Sequence, residues 1–277
     1  MTTDPMNTVT RFDRVSTPHQ LVPRRATVHD VQRPAQDVVR VTLGGPDFDD
    51  FVSTGPADHV KLFVPDEASG VLRAPTLAPD GSGFVRPDGP TITRDYTPLE
   101  VRSTSGGVVV DVDFMLHPHA GPVSRWADRA VRGDSAVVVG PRGSRSAPAD
   151  PGRFVAVVDE TALPSLTRWL RDLAGVPATV IAATIHDETW LRGYLGAAIT
   201  AAELRVVGTG ERAVDALATL GDLGDDVFVF AAGEATALTD VRRYLVRTLR
   251  MAPEQLAITG YWRLGVVNFD HHEPLDE

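Results

Sequence analysis

The periodicity of the chain changes once, and that change constrains the fold more than any other feature. Between about residues 24 and 145 apolar side chains alternate with polar ones. In "VVRVTLGG" Val39, Val41 and Leu43 share one side, and in "VVVDVDFML" Val108, Val110, Val112 and Phe114 alternate against Asp111 and Asp113. A period of two marks a strand with one buried face. "HVKLFVP" and "SAVVVGPRG" repeat the pattern, and "RAPTLAPDGSGFVRPDGP" reads as a long loop. Helical spacing is expected in this half only after Gly121. Many short strands with Gly and Pro turns predict an antiparallel β-barrel.

From about residue 152 strands alternate with helices. "RFVAVVDE", "PATVIAATI", "ELRVVG", "DVFVFAAGE" and "LAITGYW" read as strands. "ALPSLTRWLRDLAG" puts Leu166, Trp169, Leu170 and Leu173 on one helical face, and "ALTDVRRYLVRTLR" does the same with Leu238, Val241, Leu245 and Leu249. "AVDALATL" is a third helix. This order predicts an open parallel α/β sheet covered on both faces. Such sheets bind ligands beyond the carboxyl ends of their strands, which singles out "VDET" and "AGEA". The expected division of the 277 residues is a flexible N-terminus over 1–21, a β-barrel over 22–148 and an α/β domain with a tail over 149–277. Whether "VVNFDHHEPLDE" trails or folds over a cleft is open.

Composition removes several functions. The chain has no cysteine, so disulfides, thiolate catalysis and cysteine-bound metal clusters are excluded. Redox chemistry here needs an organic cofactor or a metal site without thiolates. The net charge of −10 argues against nucleic-acid or anionic-membrane binding. No apolar run is long enough to span a membrane, and the N-terminus lacks a secretory apolar core, so the expected location is the cytoplasm.

Two stretches carry candidate chemistry. In "TRDYTPLEVR" Arg94 and Tyr96 share a face at a strand end, with Thr97 beside them. A cation, a ring and a hydroxyl suit a flavin dinucleotide; a surface Arg–Tyr pair is the plain alternative. In "DVDFMLHPHAGPVSRWADRAV" a strand runs into a turn and then a helix opened by Pro122. Its start near Gly121 and Ser124 is an anion site or an ordinary packed helix. His117 and His119 lack a nearby third ligand, so no metal is expected. Asp159 and Glu160 suit a helix N-terminus equally well. Tyr261 and Trp262 read as core aromatics or as a cover, and Lys61 as a solvated strand residue.

In order, "DHVKLFVP", "RDYT", "DVDFMLH…AGPVSRWA", "GPRGS", "DETALPSLTRWL", "AGEATALTDVRRYL" and "ITGYWRLG" resemble the siderophore-interacting protein family over about residues 22–272. These are FAD-binding ferric-siderophore reductases with a ferredoxin–NADP-reductase-like fold. The resemblance implies that Arg94, Tyr96 and Thr97 hold FAD. It implies that His117, Ala120, Gly121 and Ser124 take its ribityl–pyrophosphate portion. Asp159, Glu160 and Thr161 would face flavin and nicotinamide, with Glu160, Gly233 and Glu234 lining the nicotinamide cleft. Tyr261 and Trp262 would close over the flavin, and Lys61 and Arg263 would attract an anionic ferric chelate. Pro118 and Val158 stand where the family usually has glycine, Val158 narrowing the approach to the flavin.

The implied function is reduction of Fe(III) in a siderophore to Fe(II), with electrons from NADPH, NADH or a ferredoxin. The alternatives are a general NAD(P)H–flavin oxidoreductase and a non-catalytic flavin- or siderophore-binding protein.

Overall fold

The computed structural model describes residues 10–80, 83–117, 121–267, 269–270 and 275. Two sheets organise the chain. The first is built from β2 (Pro23–Ala35), β3 (Val38–Gly44), β4 (Val60–Val64), β7 (Ile92–Tyr96), β8 (Pro98–Thr104), β9 (Gly107–Met115) and β10 (Ser135–Val139). β1 (Ser16–Pro18) pairs with β11 (Gly143–Arg145), and β5 (Thr76–Leu77) pairs with β6 (Phe84–Val85) inside the expected long loop. The large sheet is antiparallel throughout, in the order β7-β4-β10-β2-β3-β9-β8.

A closed barrel is not formed among the described residues, because β7 and β8 are the two edges and do not pair. Yet they are consecutive in sequence, separated by Thr97 alone. One residue cannot span a flat seven-stranded sheet with strands about 4.8 Å apart. The sheet is therefore curled, with Thr97 at the seam. Val39, Val41, Leu43, Val110, Val112 and Phe114 fill its inside. Helix α1 (Pro122–Arg129) inserts Val123 and Ala127, both fully buried, into the same core.

The second sheet is parallel, in the order β14-β13-β12-β15-β16, with β12 (Arg153–Asp159), β13 (Ala178–Ala183), β14 (Glu203–Val207), β15 (Val227–Glu234) and β16 (Leu256–Trp262). Its strands are apolar on both faces, as a sheet covered on both sides requires. Phe154, Ala156, Phe228 and Phe230 face α2 (Leu163–Asp172) and α3 (Glu188–Leu195). Val155, Val157, Val229 and Ala231 face α4 (Ala213–Ala218) and α5 (Ala235–Arg243). The chain leaves β12 towards β13 and returns on its other side as β15, so the strand order reverses between β12 and β15.

Three expectations change. The stretch from residue 10 to 18 is not a loose lead-in: β1 pairs with β11, Phe12 packs beside Phe228, and the Arg14 guanidinium lies 5.0 Å from the Trp169 ring. Val158 does not narrow a cleft. Strand alternation turns its side chain into the α2 face of the core, where it is buried. Helix α3 follows β13 where no helix was expected. At the other end, Phe269 and Leu275 pack on the α4–α5 face.

Candidate functional site

The two sheets meet where the first one changes edge. Arg94 and Tyr96 lie on the inner face of β7, opposite Leu62 and Val60 of β4. The Tyr96 ring rests on Phe114 with centroids 4.4 Å apart, and Trp126 meets Phe114 edge-on. Burial pushes the Tyr96 hydroxyl up to about 12, while its hydrogen bond with Ser124 and the Arg94 charge pull the other way. Ser124 of the first turn of α1 thus stands next to Tyr96 of β7. The Arg94 guanidinium donates to the Thr93 carbonyl at 2.8 Å.

Helix α1 opens at Gly121, which supplies no side-chain cap, and its first turn holds no acidic residue. Its first-turn N–H groups are thus left to acceptors outside the helix, in a field that favours an anion. Ring, guanidinium, edge-strand backbone and uncapped helix start together fit a flavin dinucleotide. His117 precedes this region, whereas Pro118, His119 and Ala120 lie outside the described residues.

The second half of the site lies at the carboxyl ends of β12, β15 and β16. Asp159 Oδ1 accepts from Thr161 N at 2.9 Å and Thr161 Oγ1 at 2.6 Å. Its Oδ2 accepts from Glu234 N at 2.9 Å and Trp262 Nε1 at 2.8 Å. Burial pushes the Asp159 carboxyl up to about 6, against the pull of the Thr161 and Trp262 donors. A Cβ on Gly233 would stand 2.5 Å from Asp159 Oδ2, and Gly233 has φ +145°. Glycine is required there on both counts.

Glu160 accepts from Thr184 Oγ1 and from Ile185 N. Glu234 caps α5 through Ala237 N at 2.8 Å and also accepts Leu264 N at 3.2 Å. Of the two carboxylates that suit a helix start, Asp159 caps the turn that follows it, while Glu160 reaches across to the end of β13.

Across from Glu234 the β15–β16 register slips: Gly233 faces Gly260 while Glu234 faces Trp262. Tyr261 is the extra residue of this bulge, and bulges re-aim side chains. Trp262 turns to Asp159. Tyr261 turns towards Thr97 of the first sheet and Ser165 of α2, and burial raises its pKa. The Thr97 seam of the first sheet thus lies beside the carboxyl-end edge of the second.

Two expected residues stand apart. Lys61 does not join Arg94 and Tyr96: it pairs with Asp95, so alternation puts both on the outer face, where they form an ion pair of 2.8 Å. Arg263 follows Trp262 and lies 5.0 Å over the Phe269 ring.

Sequence reasoning missed the residues that fix the two halves. Arg168 on α2 donates to Ser53 Oγ at 2.8 Å, Ser53 O at 2.9 Å and Pro98 O at 2.6 Å. Tyr194 on α3 donates to Asp113 at 2.7 Å, and Arg40 clamps the same carboxylate with two bonds. A signal for α3 was present: Asp187 followed by Trp190, Leu191, Tyr194 and Leu195 is an N-cap before a helical stripe.

Residues 27–145 match the siderophore-interacting FAD-binding domain, and residues 151–265 match the siderophore-interacting protein family. An "NADPH-dependent ferric-chelate reductase" of Escherichia coli is 33% identical over 86% of this chain and 92% of its own length. A siderophore utilization protein from T. fusca superposes with TM-score 0.82 and 31% identity, covering 94% of this chain and 100% of that one. A siderophore-interacting protein from Aeromonas hydrophila has TM-score 0.68 and 25% identity, over 89% and 94% of the two chains. With its two sheets in the ferredoxin–NADP-reductase-like arrangement, the chain belongs to the siderophore-interacting protein family.

Proposed function

We propose that this protein is an FAD-dependent ferric-siderophore reductase that takes its electrons from NADPH or NADH. The observation that carries the reading is the bridge from Arg168 of α2 to Ser53 and to the carbonyl of Pro98, next to Thr97, which joins the flavin-fitting rim to the domain whose strand ends take nucleotides. Bound FAD supplies the conversion of a two-electron donor into one-electron steps onto iron.

The side chains bind and orient. Tyr96, held by Phe114 and Ser124, walls the ring; Arg94 meets phosphate; Thr97 reaches the ring edge. Gly121 and Ser124 at the start of α1, with His117 and Ala120 preceding them in sequence, take the ribityl–pyrophosphate portion. Asp159 and Thr161 fix the loop between the two cofactors and hold Trp262 over it. Glu160, Gly233 and Glu234 line the nicotinamide cleft. Gly233 lets backbone approach closely there, and Glu160 is pinned by Thr184. Arg263 is the cation assigned to an anionic chelate. Lys61, on the outer face and paired with Asp95, is not carried forward.

Iron in the chelate is substrate. Fe(II) is softer and less charged than Fe(III), so hard oxygen donors hold it less tightly, and release follows. No side chain needs to move a proton for this; the protein works by positioning and electrostatics. The reading places the reaction in the cytoplasm. The test is reconstitution with FAD followed by anaerobic addition of NADPH, NADH and reduced ferredoxin in turn. Bleaching of the flavin by a nicotinamide donor supports the reading; bleaching by ferredoxin alone overturns its choice of donor.

A further inference from the structure

Helix α3 and His186, just before its N-cap Asp187, carry a stack of three rings that the proposed reaction does not use. His186 lies on Trp190 with centroids 3.8 Å apart and planes 7° from parallel. Trp190 continues to Tyr194 at 5.8 Å, again 7° from parallel. The spacing of four residues places Trp190 and Tyr194 above one another on one helix face, and His186 extends the stack from the turn before α3. Trp190 is held from the side by Nε1 donating to Gln36 O at 3.0 Å. Tyr194 is held by Asp113, itself clamped by Arg40. A single core pair would satisfy packing. Here three rings are aligned, tied at two points to the other domain, and end on a half-buried His186.

The stack also stands between the two nucleotide-fitting regions. His186 N donates to Thr184 Oγ1, the hydroxyl that binds Glu160 at the β12 edge. Gln36 precedes Asp37, whose carbonyl accepts Leu116 N at 2.8 Å, next to His117. A partly exposed aromatic platform next to a helix start that suits phosphate also suits a purine.

We propose that the outer face of His186, backed by Trp190 and Tyr194, is the stacking platform for the adenine of a bound dinucleotide. The inference rests on the proposed function, and two sources share this chemistry: the adenine of FAD and that of the nicotinamide donor. The arms of the test separate them. His186→Ala and His186→Phe are compared with wild type, since a surface position tolerates both. One arm titrates apoprotein with FAD and with FMN. The other measures KM and kcat for NADPH or NADH and for reduced nicotinamide mononucleotide, which lacks the adenosine half.

The expected result is a loss of about tenfold or more in either FAD affinity or dinucleotide KM for His186→Ala, the size of one base–aromatic stack. His186→Phe restores it, kcat holds, and the matching mononucleotide is unaffected. Loss confined to FAD assigns the flavin adenine, and loss confined to KM assigns the donor. The inference is overturned if His186→Ala binds both dinucleotides like wild type, or if the mononucleotides weaken equally. Wild type that binds neither dinucleotide defeats the functional reading itself, and this inference with it.

Discussion

Trp262 Nε1 donates to Asp159 Oδ2 at 2.8 Å, coupling an indole that is 37% exposed to a carboxyl whose pKa burial pushes up to about 6. The folded value lies above the ordinary 3.8, so the native state binds the proton more tightly than the unfolded chain. The stability that Asp159 contributes is present in full below pH 3.8 and is lost as pH rises through about 6. Trp262 reports the same event. Its fluorescence should titrate with a midpoint of about 6, and both Asp159→Asn and Trp262→Phe should remove that step. A midpoint near 4 contradicts the coupling.

Gly233 makes Asp159 possible. In Gly233→Ala the new methyl meets a carboxylate oxygen at 2.5 Å, and the backbone at φ +145° disfavours any side chain. The variant should lose about 1–3 kcal/mol of stability in urea unfolding. It should also lose reduction by the nicotinamide donor while still binding FAD. Wild-type turnover by Gly233→Ala contradicts the packed edge.

Arg94 is assigned to phosphate, so Arg94→Ala should weaken FAD binding by about 10- to 150-fold. That is the worth of one charge-assisted bond of about 1.5–3 kcal/mol. The deficit should shrink as salt rises, because screening weakens the wild-type contact. Flavin titration at two ionic strengths checks this, and an unchanged affinity removes Arg94 from the site.

Arg168 holds the halves together through three acceptors on Ser53 and Pro98, and burial lowers its pKa. Arg168→Ala leaves buried acceptors unsatisfied and should cost about 2–3 kcal/mol. It should also split calorimetric unfolding into two transitions. A single transition at the wild-type temperature denies Arg168 this role.

Much of this was legible in the sequence because it depends on period. Alternation in "VVVDVDFML" puts Asp111 and Asp113 on the face opposite Phe114, and the structure keeps that arrangement, with both carboxylates buried under Arg102, Arg40 and Tyr194. The β12 and β15 ends were readable because parallel strands terminate at their ligand edge. Period does not show which side chains meet across domains. Arg168 reaching Ser53, or Tyr261 turned by a bulge towards Thr97, depends on tertiary placement. Lys61 shows the same limit from the other side: a cation near Arg94 in the sheet lies on its opposite face. Barrel closure was also beyond local pattern, because it depends on whether β7 and β8 pair after their seam at Thr97.

The central claim is that electrons pass from a nicotinamide donor to chelated iron through this protein. The most direct measurement is an anaerobic cycle on the FAD-loaded protein, with a ferrous trap present throughout. The account predicts that NADPH or NADH bleaches the yellow flavin band, and that a ferric siderophore then restores it while trapped Fe(II) appears. Bleaching that a ferric siderophore cannot reverse, with no Fe(II) in the trap, would contradict it.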